Sequence, residues 1–167
     1  MGCQAAIIGW GMAIPERVLT NTELSQTIDT TDEWIRTRTG IRERRVARPD
    51  EYTSVLATRA GKQALECAGI APEQVDLVIL ATCTPDRRFP ATASVVQANL
   101  GIPHAGAFDV VAACSGFVYG LSVATNMIRG GDHQTVLLVA SDLFSHILDW
   151  RDRNTCVLFG DGAGAVV

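Results

Sequence analysis

The type and position of Cys114, in residues 108–117 (FDVVAACSGF), make it the first candidate for a reaction centre. A short apolar run precedes this thiol and a long helical pattern follows it, so the sulfur is expected at a helix N-terminus, where unpaired N–H groups and the helix dipole favour an anion. The thiolate is the nucleophilic form of cysteine. Its small neighbours would let a substrate carbonyl approach, and helix N–H groups could hold an oxyanion. The alternative is a structural cysteine, because free cysteine packs as a small apolar residue.

A second candidate site is a cluster of arginines around one tryptophan. Guanidinium groups bind phosphates in a bidentate manner, and an indole can stack on a flat base. The alternative is an ordinary solvated face with ion pairs, which contribute little to stability. Arg151 and Arg153, beside Trp150, form a smaller group that fits either interpretation. The members of the main cluster are Trp34, Arg36, Arg38, Arg42, Arg44, Arg45 and Arg48.

Two glycine-rich segments are interpreted as structural. Gly9-Trp10-Gly11 follows the first strand-like run but lacks the third glycine of a dinucleotide fingerprint, so it is assigned to a turn. Residues 160–164 (GDGAG) are not followed by the Lys-Ser/Thr of a phosphate-binding loop. Close backbone approach to a catalytic centre or another sheet is the expected use of these glycines.

Composition narrows the function class. The 167 residues are 47% hydrophobic and 19% charged, which is typical of a soluble globular domain, and the net charge of −4 argues against nucleic-acid binding. No apolar run is long enough for a membrane helix, and the N-terminus lacks the features of a signal peptide. The five cysteines, Cys3 among them, contain no C-x-x-C pair, and the three histidines are not spaced for a metal, so we expect no metal site and a reducing, cytoplasmic location.

Strand and helix patterns alternate along the chain, which predicts a layered α/β architecture. Two capping boxes, at residues 20–23 and 30–33, are expected to begin short helices, and Gly40 to end the second. Glycines at 160 and 162 suggest a hairpin between the last two runs. The expected strands are 5–9, 77–82, 108–111, 136–140, 156–159 and 163–167, with a polar strand-like run at 42–46, and the longer helices are 54–68, 93–100 and 116–128.

Three segments together resemble β-ketoacyl-acyl carrier protein synthase III, a family of condensing enzymes. Residues 30–44 (TTDEWIRTRTGIRER) resemble its signature segment, and residues 108–117 resemble its nucleophile motif. Residues 152–153 and 155–165 resemble the segment that ends its first half. The resemblance runs in unbroken order from about residue 7 to residue 167, so it covers nearly the whole chain.

The resemblance implies a thiolase-like fold, that is, one half of a duplicated α-β-α-β-α layered body. Residues 1–167 would form the N-terminal domain that carries the nucleophilic cysteine, and the C-terminal half would be absent from this chain. The family's catalytic histidine and asparagine belong to that second half. None of His104, His133 and His146 lies in a matching motif, so none is assigned to catalysis.

The implied activity is that of an acyltransferase that starts fatty-acid synthesis by a decarboxylating Claisen condensation. Cys114 would take an acyl group from acyl-coenzyme A as a thioester, and malonyl-acyl carrier protein would then lose carbon dioxide and attack that thioester. Covalent catalysis divides one difficult step into two. The resemblance implies a homodimer, with no metal and no cofactor beyond acyl-coenzyme A as substrate.

Further site residues are assigned from the resemblance alone. Trp34 matches the aromatic residue that stacks on the adenine of coenzyme A, and Arg153 matches the arginine on the other side of that base. Arg38 matches an arginine that meets the phosphates, and Thr30 lies in the stretch near the adenine. Phe89 matches a residue of the dimer interface that reaches toward the acyl pocket of the other subunit. The arginines would also suit docking of the acidic carrier protein.

Other functions stay open at this point. Arg87 and Arg88 stand where the family often has an apolar or aromatic residue, so the acyl primer is not assigned. A polyketide or alkyl-quinolone starter-unit enzyme would share the fold and the nucleophile. A non-catalytic scaffold half is a third possibility, and a dinucleotide-binding domain is a distant fourth. Half of a duplicated fold would expose an apolar face, so the isolated chain is expected to aggregate or to be inactive.

Overall fold

Three apolar parallel strands form the centre of a five-stranded sheet. The computed structural model describes residues 4–167, and Cys3 lies outside the described residues. The strands are β1 (Trp10–Ala13), β2 (Arg17–Thr20), β3 (Glu43–Val46), β4 (Leu77–Ala81), β5 (Gly106–Val110), β6 (Val136–Leu143) and β7 (Asp161–Val166). The helices are α1 (Asn21–Leu24), α2 (Asp32–Thr39), α3 (Thr53–Ala68), α4 (Thr92–Asn99) and α5 (Gly116–Gly130). Short 3₁₀ turns cover Pro72–Gln74, Ala113–Ser115 and Phe144–His146.

The large sheet has the order β1-β7-β6-β4-β5. Strand β4 is parallel to both β5 and β6, whereas β7 runs antiparallel between β6 and β1. Every residue of β4 is buried, and its alternate side chains serve the two faces of the sheet. Val78 and Leu80 join the core formed with α3 and α4, and Leu77 and Ile79 join the core formed with α5. The predicted central strands and long helices are therefore confirmed, with small shifts at their ends.

The first strand lies later in the chain than predicted. Residues 5–9 are outside any strand, and β1 begins at Trp10, although the backbone of Ile8 still donates to Val167 at 2.8 Å. The assignment of Gly11 to a turn is wrong, since it lies within β1. A Cβ added to Gly11 would lie 2.3 Å from the carbonyl oxygen of Ala60 in α3. Glycine is required there because strand and helix backbones touch.

A small second layer carries the other candidate residues. Strands β2 and β3 form a two-stranded antiparallel sheet that packs with α1 and α2 around Leu19, Ile35 and Val46. Helix α1 begins as predicted, because the Thr20 hydroxyl accepts from the backbone N–H of Glu23 at 3.1 Å. The cap of α2 is one residue later than the capping box at 30–33 predicted.

The correction at α2 follows from its hydrogen bonds. The hydroxyl of Thr31 accepts from the backbone N–H of Trp34 at 3.0 Å, so Thr31, rather than Thr30, is the N-cap. Gly40 ends the helix with φ 76°, as predicted. That left-handed conformation strongly favours glycine.

The predicted hairpin at residues 156–167 is wrong. Residues 156–159 form no strand, because the segment after residue 149 coils into turns around Asp152. The Asp152 carboxylate accepts from the hydroxyl of Thr155 at 2.7 Å and from the backbone N–H of Asn154 at 3.0 Å, and these bonds lower its pKa. Strand β7 instead pairs with the long strand β6, with Leu143 opposite Asp161. The glycines of this segment therefore serve sheet pairing rather than a tight turn.

The outer face of β1 is apolar and exposed. The alternate residues of β1 and of the segments flanking it are between 43% and 68% exposed, namely Ile8, Trp10, Met12 and Ile14, whereas Gly9 and Gly11 face α3. Helix α5 covers the neighbouring part of this sheet face, over β4 and β6. None of the helices within residues 4–167 is long and apolar enough to cross a membrane.

Candidate functional site

Cys114 lies where β5 passes into α5. Strand β5 ends at Val110, the 3₁₀ turn Ala113–Ser115 follows, and α5 begins at Gly116. The thiol is exposed within residues 4–167, and its role as nucleophile or structural cysteine stays a prediction. Ala113 has φ 47°, a left-handed conformation that is costly for alanine. Such strain is concentrated at functional sites, where the surrounding structure holds it in place.

The start of α5 lies close above the end of β4. A Cβ added to Gly116 would lie 3.0 Å from the Cβ of Ala81, the last residue of β4. Glycine at this position lets the helix N-terminus settle onto the carboxyl edge of the sheet. Cys114 therefore lies at the edge where ligands bind in open α/β sheets.

Two aspartates that sequence reasoning did not assign to any role organise the same edge. Asp109 on β5 accepts from the backbone N–H groups of Thr92 at 2.8 Å and Ala93 at 2.7 Å, and so caps α4. Helix α4 has no side-chain cap of its own, since its N-cap residue is an alanine. Asp142 on β6 accepts from the backbone N–H of Cys83 at 2.7 Å and from the hydroxyl of Thr82 at 3.2 Å. Together they fix both ends of the segment that joins β4 to α4.

Phe89 lies in that joining segment. Its side chain is 86% exposed, which is unusual for an aromatic residue held between two anchored elements. The segment lies at the carboxyl end of β4, and Cys114 follows the carboxyl end of the adjacent parallel strand β5. The exposure is compatible with an interface residue, but the role assigned to Phe89 stays a prediction.

Trp34, Arg38 and Arg153 meet in one group, which we call the indole clamp. The guanidinium carbon of Arg38 lies 4.5 Å from the centroid of the Trp34 ring, and that of Arg153 lies 4.9 Å from it. Arg153 is held by Asp29, whose backbone carbonyl accepts from its guanidinium at 2.8 Å. Trp34 and Arg38 lie one turn apart on α2, and the structure brings the distant residue Arg153 to the same indole ring.

Thr30 precedes α2, next to its N-cap, and is half-buried. Its hydroxyl oxygen is buried and has no hydrogen-bond partner within residues 4–167. Such a group usually has a partner when the site is complete. This observation supports a ligand contact near Thr30, and the contact itself stays a prediction.

The remaining arginines of the cluster divide into several kinds. Arg36 pairs with Asp32 at 3.2 Å and Arg48 pairs with Asp50 at 3.3 Å on the surface, as the solvated-face alternative expected. Arg44 is buried, and burial lowers its pKa. A phosphate-binding role for Arg44 is therefore wrong, because solvent and ligands do not reach it. Trp150 is also structural, since its indole N–H donates to the backbone carbonyl of Ser145 at 3.1 Å.

A cleft of about 540 Å³ separates the β2–β3 sheet from residues 145–151. Apolar side chains line much of it, including Leu24, Val46 and Trp150. Arg151 of the smaller candidate group also lines this cleft, whereas none of the site residues assigned from the family resemblance does. Within residues 4–167, no group of three or more His, Cys, Asp or Glu side chains is placed to hold a metal ion.

Comparison with known proteins identifies the family. The model of 3-oxoacyl-[acyl-carrier-protein] synthase III matches residues 108–167, which include Cys114 and β7. The β-ketoacyl-[acyl-carrier-protein] synthase III of Roseiflexus sp. (strain RS-1) is 66% identical over 167 residues, which is 100% of this chain and 51% of that protein. This chain belongs to the β-ketoacyl-acyl carrier protein synthase III family. The resemblance found in the sequence is thus confirmed.

Solved structures of this family confirm the fold class as well. The 3-oxoacyl-[acyl-carrier-protein] synthase III of Aquifex aeolicus VF5 superposes with a TM-score of 0.95 at 52% identity, covering 99% of this chain and 53% of that one. The priming β-ketosynthase of the R1128 polyketide pathway superposes with a TM-score of 0.94 at 42% identity, covering 96% of this chain and 48% of that one. The chain spans about half the length of the synthase III relatives it matches. The thiolase-like α/β half is therefore established, whereas the residue roles within it stay predictions.

Proposed function

We propose that the full-length protein is an acyltransferase that starts fatty-acid synthesis by condensing an acyl-coenzyme A primer with malonyl-acyl carrier protein. The observation that carries the proposal is the exposed thiol of Cys114, at the N-terminus of α5 and directly after the strained residue Ala113. Membership of the synthase III family supports the same reaction class. The two reactants and the residue roles follow from this assignment.

In the first half-reaction, the Cys114 thiolate attacks the carbonyl carbon of the acyl thioester. The carbonyl electron pair moves to oxygen, where N–H groups at the start of α5 would stabilise it. Collapse of the tetrahedral species breaks the bond to the coenzyme A sulfur and leaves the acyl group on Cys114. In the second half-reaction, malonyl-acyl carrier protein loses carbon dioxide, and the electron pair released forms the new carbon–carbon bond. The Cys114 thiolate leaves, and β-ketoacyl-acyl carrier protein is the product.

The indole clamp would bind the nucleotide end of the primer. Trp34 offers an aromatic face for the adenine, with Arg153 on the other side of the base and Arg38 beside the phosphates. Both guanidinium groups now lie over the indole, so an entering base would displace one of them. Base–aromatic stacking contributes about 1–3 kcal/mol per base. The unpartnered hydroxyl of Thr30 would find an acceptor or donor on the same ligand.

The other reactants and the assembly belong to the same proposal. The catalytic histidine and asparagine would lie outside this chain and stabilise the thioester enolate. We propose a cytoplasmic homodimer with Phe89 at the interface, with coenzyme A thioesters as substrates and no metal or further cofactor. A polyketide priming enzyme is the second candidate, because the R1128 priming β-ketosynthase shares the fold at 42% identity. The isolated chain, with its apolar β1 face exposed, is expected to aggregate or to be inactive.

The test is intact-mass spectrometry of the full-length protein after incubation with acetyl-, isobutyryl- or longer acyl-coenzyme A in the absence of malonyl-acyl carrier protein. We expect one acyl adduct, mapped by peptide analysis to Cys114 and lost in Cys114→Ser. The matched control is Cys67→Ser, which removes another exposed thiol and should keep the adduct. No adduct in the folded protein, or an adduct retained by Cys114→Ser, would refute the proposal. Condensation assays with carrier proteins of fatty-acid and polyketide type would then separate the two candidates.

A further inference from the structure

Arg44 is a buried cation without an anionic partner. The residue is 6% exposed, and it forms none of the ion pairs found among residues 4–167. A buried guanidinium is costly unless its donors are well used. Its two terminal nitrogens donate to three oxygens: the carbonyls of Leu19 at 3.1 Å and Val157 at 3.1 Å, and the side-chain oxygen of Asn21 at 2.8 Å. Its buried Nε has no hydrogen-bond partner within residues 4–167, so the terminal nitrogens make all of its hydrogen bonds there. A planar fork can reach three separate acceptors, which a lysine ammonium cannot do with the same geometry.

Asn21 links Arg44 to helix α2 through hydrogen bonds. Its side-chain nitrogen donates to the carboxylate of Asp32 at 2.9 Å and to the carbonyl of Ile41 at 2.8 Å. Asp32 is the first residue of α2, and Ile41 lies two residues beyond its last residue. Asn21 is 1% exposed, so these bonds are sheltered from water. One buried amide therefore holds both ends of the helix that carries Trp34.

The other side of Arg44 contacts the segment that carries Arg153. The carbonyl of Val157, which accepts from Arg44, lies at the end of the turns that follow residue 149. The chain then passes directly over β3, since a Cβ added to Gly160 would lie 2.9 Å from the carbonyl oxygen of Arg45. Arg44 thus bonds to the segment of Arg153 on one side and, through Asn21, to the helix of Trp34 on the other.

We infer that Arg44 and Asn21 are positioning residues that set the separation of Trp34 and Arg153, and hence the width of the indole clamp. Neither residue touches the ligand. They act because the two stacking groups come from separate parts of the chain, and this buried polar path joins those parts. The consequence for coenzyme A rests on the proposed function, whereas the separation itself is a property of the free protein.

The test labels the full-length protein with 5-fluorotryptophan and follows the ¹⁹F resonance of Trp34, assigned with Trp34→Phe. Arg153→Ala supplies the reference resonance of a Trp34 ring that no longer contacts Arg153. Asn21→Asp keeps an acceptor for Arg44 but replaces the donor to Asp32 with a second carboxylate. Arg44→Lys keeps the positive charge but not the planar guanidinium geometry, and it replaces Asn21→Asp as the test variant if Asn21→Asp does not fold. The control is Gln97→Ala, which removes a side chain that donates to two backbone carbonyls away from the clamp.

We expect the Trp34 resonance of Asn21→Asp and Arg44→Lys to move toward its position in Arg153→Ala, and that of Gln97→Ala to stay with the wild type. Coenzyme A affinity, measured by calorimetry, should fall about tenfold in Asn21→Asp, the loss expected from one misplaced charged contact. A Trp34 resonance unmoved in both variants would overturn the inference.

Trp34→Ala separates this inference from the proposed function. If the resonance moves in the positioning variants but Trp34→Ala binds coenzyme A normally, the nucleotide assignment fails and the positioning role stands. If Trp34→Ala weakens binding while Asn21→Asp does not, the link from clamp width to affinity is refuted.

Discussion

Asp109→Asn is expected to destabilise the protein because Asp109 caps a helix from a neighbouring strand. In the native protein its two carboxylate oxygens accept from the backbone N–H groups of Thr92 and Ala93, at 2.8 and 2.7 Å. Asparagine has nearly the same shape but only one acceptor oxygen, so its amide would face one of these N–H groups as a second donor. Thr92 and Ala93 are 1% and 0% exposed, so water cannot replace the lost acceptor.

The expected decrease in the free energy of unfolding of Asp109→Asn has two parts. A charge at a helix N-terminus contributes about 0.3–1 kcal/mol. A buried N–H left without an acceptor costs about 1–3 kcal/mol. We therefore expect Asp109→Asn to lower the free energy of unfolding by about 1–4 kcal/mol, and the loss should appear locally at the start of α4, beside the segment of Phe89.

Urea unfolding of the full-length protein measures the overall loss, and amide hydrogen exchange at Thr92 and Ala93 measures the local one. The control is Asp50→Asn, because the Asp50 side chain is 79% exposed and its ion pair with Arg48 lies on the surface. That variant should stay within about 0.5 kcal/mol of the wild type. An equally small change in Asp109→Asn, with unaltered exchange at α4, would refute the capping argument.

Three further results are expected. Gly11→Ala should cost at least about 1–3 kcal/mol, because its new methyl group would overlap the backbone of α3, whereas Gly130→Ala, with no atom closer than 3.8 Å, should be nearly neutral in urea unfolding. The backbone N–H of Arg48 and the guanidinium of Arg59 hold the pKa of buried Glu51 below its usual value. Ionised Glu51 therefore stabilises the protein fully at a pH above the unfolded pKa, and this stabilisation is lost as the pH falls through the lower folded pKa. Glu51→Gln should weaken the dependence of unfolding on acid pH, measured by urea unfolding at several pH values. Burial raises the pKa of the Cys156 thiol, so alkylation followed by peptide mapping should modify Cys114 in the folded protein and Cys156 only after unfolding.

The centre of the fold could be predicted because its signals are local. The apolar run at 77–82 and the glycine-bounded helical stripes contain their own information on period and length. The edge strand could not be placed in the same way. Its partner β7 lies at the other end of the chain, and its face toward α3 is formed by Gly9 and Gly11 rather than by apolar side chains. The hairpin expected at 156–167 failed for a similar reason, since β7 pairs with the long strand β6.

The candidate site likewise combines residues that a local sequence pattern predicts with residues whose roles depend on distant partners. The position of Cys114 after a strand and before a helix is a local pattern, and the structure places it just before the N-terminus of α5, as that pattern predicts. The roles of Arg44 and Asp109 depend on partners distant in sequence, so composition grouped Arg44 with the surface arginines around Trp34. Its burial separates it from them. The sequence shows that a residue is charged, but only the packing around that residue decides whether its charge is solvated or forms buried hydrogen bonds.

Only the family resemblance relates Trp34 to Arg153 in the sequence, because neither residue type nor spacing connects α2 with the turns after residue 149. The structure supplies the missing physical relation: the two side chains stack at 4.9 Å, and a buried path through Arg44 and Asn21 joins the segments that carry them. A substitution in that path can therefore change the clamp without altering a single clamp residue. Variants at Arg44 or Asn21 test the geometry of the site, whereas variants at Trp34 test its chemistry.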